Sequence, residues 1–180
     1  MLKAIRIILL TLLLIISELS IVPKLPSVMS HLGPIIVFLV FVAVVYQFYQ
    51  AVIWAIILGL MMESFSVFPF GTMIIGYVIT IYICYFVFVH LFTNKSFYTL
   101  IIMTILGTVV FRTMIIVFQY LIDFIHLGSL VLDGQILINS ARETAWQVLF
   151  NVILVIIIYT VFHHSSRRFK AVFIDTIKNN

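Results

Sequence analysis

The side chains best suited to chemistry are few, and they sit among apolar neighbours. Thr104, Thr108, Arg112, Gln119 and Asp123 fall within roughly a 100° arc at the helical period, so one face of a predicted helix is polar. Glu143, Gln147, Asn151 and Tyr159 follow a four-residue spacing with Val155 as the apolar member. These two helices are antiparallel neighbours in sequence. Arg112 lies about 16 Å below Asp123, and Asn151 about 13 Å below Arg142, at 1.5 Å per residue. Arg112 is therefore expected near Asn151, and Gln119 near Gln147. Facing stripes of this kind make either a polar cavity with a proton path or an interhelical hydrogen-bond seam, worth about 0.6 kcal/mol per bond in a membrane. The seam is favoured, because one deep cation with no carboxylate at its own depth makes a poor relay.

The carboxylates Glu18, Glu63, Asp123 and Glu143 fall at helix ends on one predicted side of the membrane. Clustered carboxylates bind cations or exchange protons. Four separate helix ends more simply place solvated acids at an interface. Glu63 stands out, beside the Pro69-Phe70-Gly71 turn on a short helix. The histidines His31, His90, His126, His163 and His164 show no metal-ligand spacing. Cys84 is the sole cysteine; it excludes an intramolecular disulfide and reads as a small buried hydrophobe. No P-loop, HExxH, GxSxG or dinucleotide fingerprint occurs. No catalytic residue, metal, cofactor or nucleic-acid partner is expected.

Composition says what must position these groups. Of 180 residues, 64% are hydrophobic and 9% charged, with a mean hydropathy of +1.31; a soluble domain carries about 25% charged residues. The solvent is therefore largely lipid, and about 20 helical residues cross it. The reading is an all-α, polytopic transmembrane bundle forming one domain over residues 1–180. Predicted spans cover about 4–21, 35–46, 50–62, 72–92, 97–125 and 141–162. Met1-Leu2-Lys3-Ala4-Ile5-Arg6 before an apolar run imitates a signal peptide, but no small-x-small site follows, so it reads as an uncleaved first span. Pro23 and Pro26 end that span. Pro34 opens the next one. Ser140-Ala141-Arg142-Glu143 has the spacing of a capping box that starts the last.

The run from Ile35 to Met62 fits either one tilted helix of about 42 Å or two short spans broken at Tyr46-Gln47-Phe48-Tyr49-Gln50. Charge decides between them. Lys3 and Arg6 at one end and Arg167, Arg168, Lys170 and Lys178 at the other place both termini in the cytoplasm. That requires an even number of spans, hence six.

At Gly59-Leu60-Met61-Met62-Glu63-Ser64-Phe65-Ser66, followed by Pro69-Phe70-Gly71, the chain resembles the MreD family of rod-shape-determining membrane proteins. The family commonly has Asp where this chain has Glu63. The resemblance implies a non-enzymatic, multi-pass protein of the bacterial cytoplasmic (inner) membrane. It would belong to the cell-elongation complex, bind MreC, and help couple the MreB cytoskeleton to peptidoglycan synthesis. Glu63, Pro69, Gly71 and the polar groups Arg112, Gln119, Asp123, Glu143, Gln147 and Asn151 would then be partner or cavity surface. A second reading is the substrate-binding subunit of an energy-coupling-factor vitamin transporter, with Arg112 for an anionic ligand. Its usual small-xxx-small pattern is missing from Ile5–Ile16, where large aliphatics surround Thr11.

Overall fold

The computed structural model describes residues 11–24, 32–66, 68–92, 96–127 and 134–165. Lys95 and the basic residues of both termini, on which the cytoplasmic assignment rests, lie outside them. Among the described residues the chain is all-helical. In chain order the helices are α1 (Thr11–Ser20), α2 (Pro34–Val45), α3 (Phe48–Glu63), α4 (Thr72–Leu91), α5 (Phe97–Leu127) and α6 (Gly134–Ser165). Three stretches are long and apolar enough to cross a membrane: Thr72–Leu91, Phe97–Ile122 and Ile138–Thr160. α1 ends in a π turn over Ser17–Ile21, closed by the Val22 N–H donating to the Ser17 carbonyl.

The expected break between α2 and α3 is present, and it is narrower than the polar patch. Tyr46 and Gln47 leave the helical region, and the Gln47 carbonyl accepts the N–H groups of Gln50 and Ala51 to start α3 at once. At 1.5 Å per residue α2 rises only about 18 Å and α3 about 24 Å, both short of a hydrocarbon core of about 30 Å. Apolar on every side, α2 must be buried on every side. Ten of its residues are buried, with Ile35, Val37 and Val40 wholly so. It is therefore the centre of the bundle, with α3, α4, α5 and α6 against it.

Lipid gives helices little hydrophobic reason to associate, so close approach depends on small residues and shape. A Cβ at Gly59 would meet the Ile74 Cα at 2.8 Å, and one at Gly107 would meet Val40 Cγ2 at 2.7 Å. α4 and α5 run antiparallel, with Gly76 against Phe111 and Ile115, Tyr77 stacked on Phe111 at 4.7 Å, and Cys84 against Gly107. This register sets Gly76, one turn into α4, between the levels of Phe111 and Ile115, so α4 starts near the level of Val117 and α5 continues roughly 15 Å past it.

The last helix begins seven residues before the predicted one, at Gly134 rather than Ala141. Gln135-Ile136-Leu137-Ile138-Asn139 holds no helix breaker, so the helix propagates back through it. Ser140 is consequently internal: its carbonyl accepts from Thr144 Oγ1, and Glu143 points to another helix rather than back to a cap. The capping-box expectation is corrected.

Candidate functional site

Two carboxylates at one end of the bundle each close the N-terminus of the following helix. α4 starts after Gly71, whose φ of +100° is left-handed and which has no side chain to cap with. The cap comes from α3 instead. Glu63, 7% exposed, accepts the Met73 N–H on Oε1 and the Ile74 N–H on Oε2, both at 3.3 Å. Gly59 lies one turn before Glu63 on the same helix, and its missing Cβ lets α3 come close enough for that reach. Pro69 completes the turn, its carbonyl accepting both the N–H and the hydroxyl of Thr72. An anionic group here also satisfies the positive end of the helix dipole. Glu63, Pro69 and Gly71 are thus one structural unit.

Glu18 performs the same task for α2. Its Oε2 accepts the Ile35 N–H at 3.3 Å, just after Pro34 occupies the first helical position. The preceding Gly33 N–H donates to Asn151 Oδ1 at 2.8 Å, and Asn151 Nδ2 donates to Thr108 Oγ1 at 3.0 Å. Thr108 Oγ1 in turn donates to the Thr104 carbonyl. Asn151, Thr108 and Thr104 are wholly buried. Tyr77, also buried, stands within electrostatic reach of both Glu18 and Glu63.

The stripes on α5 and α6 do meet, in a register about one turn away from the expected one. Arg112 Nη2 donates to Glu143 Oε2 at 2.6 Å, and the partner of Asn151 on α5 is Thr108. The predicted pairs Arg112–Asn151 and Gln119–Gln147 are corrected. The longer ends of α5 and α6 bring their connection closer to both, which slides α6 along α5. Gln147 lies beside α2 instead, its Nε2 2.9 Å from where a Cβ of Gly33 would stand. Gln119 is exposed. The Asp123 side chain lies outside the described residues. Arg112 Nε, Tyr120 Oη and Gln147 Oε1 are buried atoms with no hydrogen-bond partner among those residues.

At the opposite end, the α2–α3 elbow opens a cavity of about 470 Å³. Tyr46, Gln47, Phe48 and Tyr49 line it with Tyr85 and Phe88 of α4. The Phe48 ring lies 4.7 Å from that of Tyr85. The polar groups of the elbow are the Tyr46, Tyr49 and Tyr85 hydroxyls and the Gln47 amide, which offer hydrogen bonding beside the stacked rings. Among the described residues no cluster of three metal-ligating side chains occurs.

Glu18, Gly33, Gly59, Tyr77 and Thr108 were not singled out for these roles from sequence. A signal for Glu18 did exist: Glu18-Leu19-Ser20-Ile21-Val22-Pro23 parallels Glu63-Ser64-Phe65-Ser66-Val67-Phe68-Pro69, with one residue inserted in the second. Both segments end one helix with an acid that caps the next. No protein-family model, curated protein or solved structure matches this chain.

Proposed function

We propose that this chain is a non-enzymatic membrane scaffold of the bacterial cell-elongation complex, similar to MreD, which binds MreC and helps couple the cytoskeleton to peptidoglycan synthesis. The observation that carries the reading is the α3–α4 turn. The segment on which the resemblance rests behaves as one device: Gly59 allows the approach, Glu63 caps, Gly71 turns. Its parts are spent on holding two helices in register, which suits a protein whose work is to present surfaces. The transporter reading draws less support, because Arg112 is paired with Glu143 rather than free for an anionic ligand.

The test is depletion in the native cell, scored for shape, with MreC co-purification from the same membranes. Rounded cells and recovered MreC are the expected result. Normal rods that have lost uptake of a vitamin would overturn the proposal in favour of the transporter subunit.

A further inference from the structure

The break between α2 and α3 brings two helix ends to one cavity. Ala43 and Val44 line it from the last turn of α2, and Phe48 and Tyr49 from the first turn of α3. In a continuous helix the Ala43 and Val44 carbonyls would accept from Gln47 and Phe48. Here Gln47 is extended and Phe48 opens the next helix. The first N–H groups of α3, those of Phe48 and Tyr49, have no helical carbonyl behind them, and the Gln47 side chain does not cap them. Backbone donors and acceptors thus stand together on one wall, and lipid satisfies neither kind.

The side chains repeat that balance. Tyr46, Tyr49 and Tyr85 bring hydroxyls and Gln47 an amide, each able to donate and to accept. The rings of the three tyrosines stand beside those of Phe48 and Phe88. No Asp, Glu, Lys, Arg or His belongs to the described wall, so a phosphate or ammonium group would lose water without gaining a counter-charge. The volume of about 470 Å³ falls in the range of small-molecule sites, about 300–1,000 Å³. Depth selects the source of the ligand. α4, with its 20 residues, spans about 30 Å, the thickness of one hydrocarbon core. Tyr85 and Val89 of the wall precede its last residue, Leu91, by about 9 and 3 Å along the axis. The cavity therefore lies just inside the boundary of the hydrocarbon. Tyr46 and Tyr49 are 55% and 73% exposed, so the wall is open there, and at this depth what lies outside it is bilayer.

We propose that the elbow holds the uncharged sugar headgroup of a membrane glycolipid. A pyranose carries hydroxyls around its rim, each a donor and an acceptor, which match the tyrosines, Gln47 and the two helix ends. Its C–H faces are slightly positive and stack on the negative faces of aromatic rings. A diacylglycerol, with a single hydroxyl, would leave most of these groups unmet. The acyl chains of the glycolipid run out past Tyr46 and Tyr49 into the bilayer.

The test places the full chain in nanodiscs of phosphatidylcholine, phosphatidylethanolamine and phosphatidylglycerol doped with monoglucosyl diacylglycerol. Native mass spectrometry then counts the lipids that each chain retains on release. One glycolipid per chain is expected, in preference to every phospholipid at equal mole fraction. Gln47→Leu and Tyr46→Phe should each lower that retention about fivefold, the loss of one hydrogen bond. Tyr98→Phe should not, because Tyr98 is an exposed tyrosine near the same end of the bundle that does not line the cavity. Protection of Cys84 from maleimide shows that a variant keeps its fold, and the preference of the wild-type chain is a test by itself. Equal retention of any phospholipid, unchanged retention in both elbow variants, or an equal loss in Tyr98→Phe, the mark of ordinary interfacial tyrosines, would each overturn the inference. So would displacement of the glycolipid by free methyl glucoside at the same concentration, which would make the ligand a soluble sugar. The inference does not rest on the scaffold reading: cell shape and MreC recovery can fail while the glycolipid preference holds.

Discussion

Replacing Asn151 by Leu removes a side chain that joins α2, α5 and α6, at nearly constant volume. Two hydrogen bonds disappear, one from Gly33 N at 2.8 Å and one to Thr108 Oγ1 at 3.0 Å. At about 0.6 kcal/mol for each bond in a membrane, the loss is at least about 1.2 kcal/mol, or roughly eightfold in an opening equilibrium. The Gly33 N–H is also left buried without an acceptor, which raises the cost towards about 3 kcal/mol, or roughly 150-fold. Thr108 is less affected, because its hydroxyl still donates to the Thr104 carbonyl. Cys84 provides the assay. It is 1% exposed between α4 and α5, so a maleimide reaches it only when the bundle opens. In mild detergent the labelling rate of Asn151→Leu should exceed wild type by about 8- to 150-fold. Thr108→Ser, which keeps the hydroxyl and gives up one methyl worth about 0.8 kcal/mol, should stay within about fourfold. Wild-type labelling in Asn151→Leu, or labelling of Thr108→Ser well beyond about fourfold, would refute the account of this junction.

The α3–α4 turn supports a ranked series in the same assay. Glu63→Ala should cost about 1 kcal/mol as a lost cap, and Glu63→Gln about 0.3–1 kcal/mol, since the amide oxygen still accepts while the charge at the helix end is gone. Gly59→Val should cost about 1–3 kcal/mol, because the new side chain meets α4 backbone rather than a movable side chain. The register of α5 against α6 is checked by paired cysteines: Arg112→Cys with Glu143→Cys should cross-link within one chain, and Gln119→Cys with Gln147→Cys should not. Reporters fused to the two ends should both lie in the cytoplasm; a C-terminal reporter on the opposite side would end the six-span reading.

The parts of this fold legible in the sequence are those with a local cause. Pro34 and the Tyr46-Gln47 break announce α2 because each acts on its own backbone. The Glu63–Gly71 turn is legible because cap and capped helix lie ten residues apart. The register of α5 against α6 is not legible in the sequence, because it depends on where both helices end. Ser140–Glu143 imitates a helix start that propagation from Gly134 overrides. The role of Asn151 is non-local: its partner Gly33 lies 118 residues away, and no periodicity links a glycine N–H to an amide on the last helix.

A short helix inside a membrane protein creates a polar problem at each end, and α2 explains much of the chain's polar inventory. Backbone groups at helix termini lack intrahelical partners, and lipid supplies none. The α2 N-terminus, too short to reach water through its own length, takes its acceptors from Glu18 and Asn151. The Asn151 amide is steadied by Thr108, and Gln147 crowds the same corner. At its other end α2 stops at Tyr46 and Gln47, where the elbow cavity admits polar contact. The buried polar residues that first suggest a proton path are therefore occupied in holding a central helix that lipid cannot solvate.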